Sequence, residues 1–204
     1  NSVCKKIKCN KNKLILMNQT HSNNFKFIGS LKKTRGKKIN SDALITNLKG
    51  ICLGVLTADC APVLIYDKNI KMISVIHAGW RGALDGIIKK VIFFFKKKGS
   101  NFKNLNAVVG PCISKNNYEV KEDFVKKFIK KDKKNRKFFF KKNYKTYFSL
   151  NSYIKYEIIR LGIKNIEIIN RDTYNSKNNF FSARKSIKNK VNDYGRNISV
   201  IMIN

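Results

Sequence analysis

Residues 51–82 read ICLGVLTADCAPVLIYDKNIKMISVIHAGWRG. Two short apolar runs, 51–56 (ICLGVL) and 62–66 (PVLIY), flank the polar segment Thr57-Ala58-Asp59-Cys60-Ala61. The pattern is strand, polar loop, strand. Asp67-Lys68-Asn69 has the composition of a turn, so Ile70 to Ile76 is expected to return as a third strand. That hairpin carries His77 to a strand end, close in space to the loop that holds Cys60. Gly79 and Gly82 then permit the tight backbone that His77 needs to approach a ligand.

Outward from this stretch, Leu84, Ile87, Ile88, Val91, Ile92 and Phe95 follow helical spacing with lysines opposite, and Gly99 ends the pattern. Residues 105–109 (LNAVV) are expected as a strand closed by Gly110-Pro111. Val120, Phe124, Phe128 and Ile129 mark a helix over 120–129. A further helix runs from about Leu150 to Leu161, with Gly162 as its stop. Residues 164–170 and 197–203 complete the strands. Strands and helices alternate irregularly, which specifies an α/β or α+β layered domain. The lysine-rich stretches 30–40 and 126–146 are expected to hold insertions and surface loops. In 137–142, KFFFKK, phenylalanine buried beside a solvated lysine rim is favoured over a platform for stacking bases.

The 204 residues suffice for one domain with a buried core. No apolar run approaches the roughly 20 residues that cross a bilayer, and no secretory signal is apparent, so a cytoplasmic protein without membrane contact is expected. The net charge is +32, which by itself points to a polyanion. Arginine, however, stands at only seven of the 44 basic positions (35, 81, 136, 160, 171, 184 and 196). Lysine, asparagine, isoleucine and phenylalanine share A/T-rich codons, and phosphate clamps and base readers favour the arginine fork. The composition therefore argues for solvated lysine faces and against a nucleic-acid partner. Five cysteines, at 4, 9, 52, 60 and 112, form no paired CxxC framework, which fits a reducing compartment.

The chain has two histidines, His21 and His77, both in polar, turn-like segments. A lone histidine is more often a packed residue than a ligand, but Cys60 is expected beside His77. Two imidazoles and a thiolate make a zinc-type donor set that leaves a fourth position open, the arrangement of a catalytic rather than a bracing site. The spacing matches no short zinc-finger register. Cys60 as a covalent nucleophile with His77 as its base is the rival reading. Asp59 orients a ligand or caps loop N–H groups. Arg81 and Arg184 either bind an oxyanion of the substrate or close structural ion pairs. Trp80 is favoured as a core residue over a base-stacking one.

The segments Gln19-Thr20-His21, Asp42-Ala43-Leu44-Ile45-Thr46, Thr57-Ala58-Asp59-Cys60-Ala61-Pro62-Val63-Leu64, His77-Ala78-Gly79-Trp80-Arg81-Gly82, Gly110-Pro111-Cys112-Ile113, Tyr118-Glu119-Val120 and Phe180-Phe181-Ser182-Ala183-Arg184 occur in this order. Together they resemble the YfiH family, long labelled multicopper polyphenol oxidase or laccase-like and also called purine nucleoside phosphorylase or peptidoglycan editing factor. The resemblance covers nearly the whole chain. It implies a single catalytic domain over 1–204 whose N-terminal family segment is missing or truncated. The fold it implies is α+β, a layered α/β/β/α arrangement of two mixed sheets packed between helices, related to the catalytic domain of cytotoxic necrotizing factor.

The activity implied is zinc-dependent phosphorolysis of adenosine, inosine and methylthioadenosine, with deamination of adenosine. The metal ligands carried over are His21, Cys60 and His77. Gln19, Asp59, Arg81 and Arg184 are the expected substrate contacts, with a purine nucleoside and phosphate as partners and a homodimer as a plausible assembly. Two alternatives accompany it: editing of a nucleotide-linked peptidoglycan precursor, and copper-dependent (Cu2+) oxidation of phenols. A multicopper cluster demands many more histidines than two. The chain departs from the family pattern at Asp172-Thr173-Tyr174, where Cys-Thr-Tyr is usual, and at Lys185, where a second arginine is usual.

Overall fold

The hairpin expected around residues 61–78 is the centre of the molecule. The computed structural model describes residues 2–33, 39–191 and 194–204. In chain order the strands are β1 (Leu14–Ile15), β2 (Phe25–Ile28), β3 (Ala43–Thr46), β4 (Cys52–Thr57), β5 (Ala61–Asp67), β6 (Met72–Ala78), β7 (Leu105–Val109), β8 (Glu119–Val120), β9 (Phe139–Lys142), β10 (Lys145–Phe148), β11 (Asn165–Ile168) and β12 (Asn197–Met202). The helices are α1 (Ser2–Lys6), α2 (Trp80–Leu84), α3 (Ile87–Lys97), α4 (Glu122–Lys131), α5 (Leu150–Arg160) and α6 (Ala183–Lys188).

A six-stranded mixed sheet has the order β11-β7-β5-β6-β3-β2. β5 and β6 pair antiparallel with Pro62 opposite His77, and β3 joins the far side of β6 with Ala43 opposite Ile76. A second, three-stranded mixed sheet has the order β1-β4-β12. The fold class is α+β, as expected. Beyond the two mixed sheets there is a third, antiparallel sheet, β8-β10-β9.

Alternation along β6 shows how the layers pack. Ile73 and Val75 face a core shared with Leu53 and Val55 of β4, so the second sheet covers that side. Met72, Ile76 and Ala78 face the opposite way, against Ile88, Ile92 and Phe95 of α3 and Ile154 and Ile158 of α5. His77 falls on the face of Ile73 and Val75, between the two sheets. All seven residues of β6 are buried, which is why the strand shows no polar alternation in the sequence.

The expected elements are recovered with shifted ends. The third strand starts and ends two residues later than read, at Met72 and Ala78, and so contains His77 rather than stopping before it. The helix after AGWRG is two helices, α2 and α3, broken where Gly86 takes φ +83°. The lysine-rich stretch 126–146 is not a loop insertion. It contains the end of α4, a 3-10 segment, β9 and the start of β10. The physical reason is aromatic packing: Phe128, Phe138 and Phe148 are buried, and Phe139 packs on Phe128 and Phe148 with ring centroids 5.7 and 4.9 Å apart. The other stretch, 30–40, lies in its central part, 34–38, outside the described residues. No helix among the described residues is long and apolar enough to cross a membrane.

Candidate metal centre

The site forms where the chain passes between sheets. Cys60 ends the loop that leaves β4 in the small sheet and enters β5 in the large one, and Asp59 turns that corner at φ +85°. His21 lies in the segment between β1 and β2 at φ +58°, and His77 is the penultimate residue of β6. Among the described residues eight non-glycine residues have positive φ, and two of them flank this site.

The candidate ligand atoms of His21, Cys60 and His77 all lie within 4.8 Å of one another. Sγ of Cys60 stands 3.9 Å from Nε2 of His21. Around a tetrahedral zinc ion, sulfur and nitrogen would sit about 3.5 Å apart. The donors thus stand slightly wider than an ion needs. Space is left for such an ion by Gly79, where a Cβ would come within 3.0 Å of Cys60 Sγ and 3.1 Å of His21 Cδ2. Nδ1 of buried His77 donates to Oδ1 of Asp42 at 2.8 Å, which leaves its Nε2 for a metal. The residues present fit a single zinc-type ion.

The electrostatics agree. Burial, then the nearby carboxylates of Asp59 and Asp42, push the Cys60 thiol up to about 12. Reactive cysteines occupy electropositive surroundings that lower the thiol pKa. These surroundings do the opposite, so the Cys60 thiolate, in either role, needs a neighbouring positive charge, which a bound cation would supply. Burial and the neighbouring His77 hold the His21 imidazole below its usual range, which keeps it neutral and able to ligate.

A cavity of about 440 Å³ opens over the triad. Besides the triad, its walls include Gln19, Tyr118, Leu150, Arg184, Ile187 and Arg196. Arg184 donates from Nη1 to the Glu119 carbonyl at 2.9 Å and lies 5.6 Å from the Tyr118 ring centroid. Asp59 also lines the cavity, with its carboxylate engaged: it accepts the Thr173 hydroxyl at 2.7 Å and the Arg184 N–H at 2.6 Å. It therefore clamps the Cys60 loop to the start of α6. The Gln19 amide bonds the backbone of Leu56 in both directions, at 2.6 and 2.9 Å, and so ties the His21 segment to β4. Arg81 is not among the residues lining the cavity. Its guanidinium lies 5.2 Å from the Trp80 ring centroid, and Trp80 packs on Phe124 at 4.8 Å.

Asp42, Tyr118 and Arg196 were given no role by sequence reasoning. A usable signal existed for Asp42, an acid directly ahead of the all-buried strand ALIT. None existed for Arg196, whose place at the site depends on the C-terminal strand returning beside β4. Asp172, which departs from the family pattern, accepts from Ser114 N–H and Oγ, Asn117 Nδ2 and Tyr174 N–H at 2.6–3.0 Å. It organises the loop next to Thr173.

Fold and site together define an α+β protein with a histidine–cysteine–histidine centre under an open cavity. The chain belongs to the YfiH family: the family model described as multi-copper polyphenol oxidoreductase laccase matches residues 1–204. It is 34% identical over 193 residues to a purine nucleoside phosphorylase of Rickettsia prowazekii (strain Madrid E), covering 93% of this chain and 78% of that one. It is 39% identical over 89 residues to the adenosine deaminase RL5 of an unknown prokaryotic organism, covering 44% of this chain and 34% of that one. Among solved structures, the Bacillus licheniformis hypothetical protein YfiH superposes with a TM-score of 0.89 at 25% identity, covering 100% of this chain and 79% of that one.

Proposed function

We propose that the chain is a zinc-dependent purine nucleoside phosphorylase that also deaminates adenosine. The observation that carries this reading is the convergence of His21, Cys60 and His77 on one point, with Gly79 leaving room for an ion. A cavity of about 440 Å³ is within the range of roughly 300–1,000 Å³ typical of small-molecule sites. The names of the relatives supply the nucleoside and the phosphate.

Zinc held there would supply Lewis-acid polarisation of an oxygen ligand in the open fourth position. The chain's own residues do the rest. His77 is held by Asp42 with Nε2 free, and Cys60 contributes a charge that balances the ion. The guanidinium of Arg184 has one nitrogen on the Glu119 carbonyl and others available for an oxyanion, so it is the candidate phosphate contact. Asp59 sets its position through the Arg184 N–H. Leu150 and Ile187 supply apolar wall for a purine.

The test pairs metal analysis of the purified chain with phosphate-dependent release of adenine from adenosine. Near-stoichiometric zinc with adenine release is expected, and His77→Ala should abolish turnover and most metal binding. A metal-free variant that retains wild-type turnover would overturn the mechanism. Copper in place of zinc, with oxidation of a phenol and no adenine release, would transfer the site to the other chemistry in the family's description.

A further inference from the structure

The Asp42 carboxylate touches both histidine segments. Oδ1 accepts Nδ1–H of His77 at 2.8 Å and the backbone N–H of His21 at 3.0 Å. Oδ2 accepts the backbone N–H groups of Ser22 and Thr20 at 2.7 and 3.2 Å. It also accepts their hydroxyls at 2.7 and 3.1 Å. Three successive N–H groups converging on one anion form a nest. Its central residue, His21, has φ +58°. The residue that closes the nest is fully buried, at 0% exposure, and its own carbonyl accepts the His77 N–H at 2.7 Å.

An acceptor surrounded by six donors has no proton to give, so the proton of the shared bond belongs to His77 Nδ1. Nε2 is then the bare nitrogen, the one left to ligate. The same carboxylate holds the left-handed turn that presents the His21 ring, accepting the His21 N–H and those of the residues on either side of it. We infer that Asp42 is the positioning residue of the centre, fixing the tautomer of one imidazole ligand and the backbone of the other through a single side chain. This rests on the metal-centre reading above. Loss of Asp42 would release both ligands together, although it touches neither the ion nor the substrate. An asparagine in its place presents an NH2 group to donors and leaves the His77 tautomer free.

The test uses the full chain with Co2+ alone as the probe, titrated into the wild type, Asp42→Asn and His77→Ala. The readouts are thiolate-to-cobalt charge transfer and the d–d bands. In parallel, long-range proton–nitrogen NMR of the metal-free chain reports the tautomer of each ring. With two histidines in the sequence, the two ring systems are readily assigned. The expected result is a tetrahedral cobalt spectrum and Nδ1–H at His77 in the wild type. Asp42→Asn should bind cobalt roughly 10- to 100-fold more weakly, the usual cost of removing an outer-shell partner. A wild type that binds no cobalt overturns the metal centre and this inference with it. A wild type that binds, together with an Asp42→Asn chain of equal affinity and spectrum, overturns the inference alone. If the variant fails to fold, the wild-type spectrum decides: a proton on Nε2 of His77 overturns it.

Discussion

Gly79 has φ −68° and ψ 162°, angles open to any residue, so its missing side chain serves space rather than conformation. Alanine there would be accepted by the backbone, but its methyl would press on Cys60 Sγ and His21 Cδ2 at 3.0–3.1 Å. Gly79→Ala should therefore keep its melting temperature within a few degrees while losing most of its metal, as read by metal content after dialysis. Retention of a full equivalent would show that the ion sits elsewhere. Asp59 and His21 show the converse. They are side-chain-bearing residues in left-handed conformations, held there by Thr173 and Arg184 in one case and by Asp42 in the other. The sequence indicated which residue types were available for ligation. It did not indicate that Asp42 would serve both histidines, because that contact spans 21 residues on one side and 35 on the other.

At the scale of elements, β6 is the strand on which the site depends, buried on both faces and paired on both edges. Its one polar side chain apart from His77, Ser74, faces the helices, and Ser74 Oγ has no hydrogen-bond partner among the described residues. A buried unsatisfied hydroxyl costs roughly 1–3 kcal/mol. Ser74→Ala should accordingly raise stability by about 1 kcal/mol with metal binding unchanged, measured by denaturant unfolding, and a loss of stability would mean that the hydroxyl has a partner. The strands and helices rich in apolar residues were legible because period and turn chemistry are local. The β9–β10 ribbon was not. Its lysines mark a solvated face, while Phe148 is buried and Phe139 half-buried because Phe128 of α4 packs on both rings and Tyr153 of α5 on Phe148; Phe140 is half-buried against Tyr147.

For the whole molecule, 44 basic against 12 acidic residues leave a net charge of +32. Among the described residues few of these charges pair: Lys145 with Glu119, and Arg160 with Asp132 and Glu157, besides the His77–Asp42 contact. Like-charge repulsion therefore works against the compact state and weakens as salt screens it, with a Debye length near 10 Å at 0.1 M falling to about 3 Å at 1 M. The melting temperature should rise between about 0.05 and 0.5 M sodium chloride. A flat or falling profile would show that the lysines are too far apart to matter. The residues alone settle a layered domain of strands and helices, α/β or α+β, the central hairpin, and the scarce donors His21, Cys60 and His77. Each of these is a matter of residue type or of local period. The tertiary packing is what brings the three donors together and lets Gly79 leave them room. It also decided that Gln19 and Asp59 spend their polar groups on the backbone and on Thr173, that Arg81 stands outside the cavity, and that Arg184 and Arg196 line it. Those outcomes depend on two sheets packing face to face across long stretches of chain, and no local pattern of residues encodes such a packing.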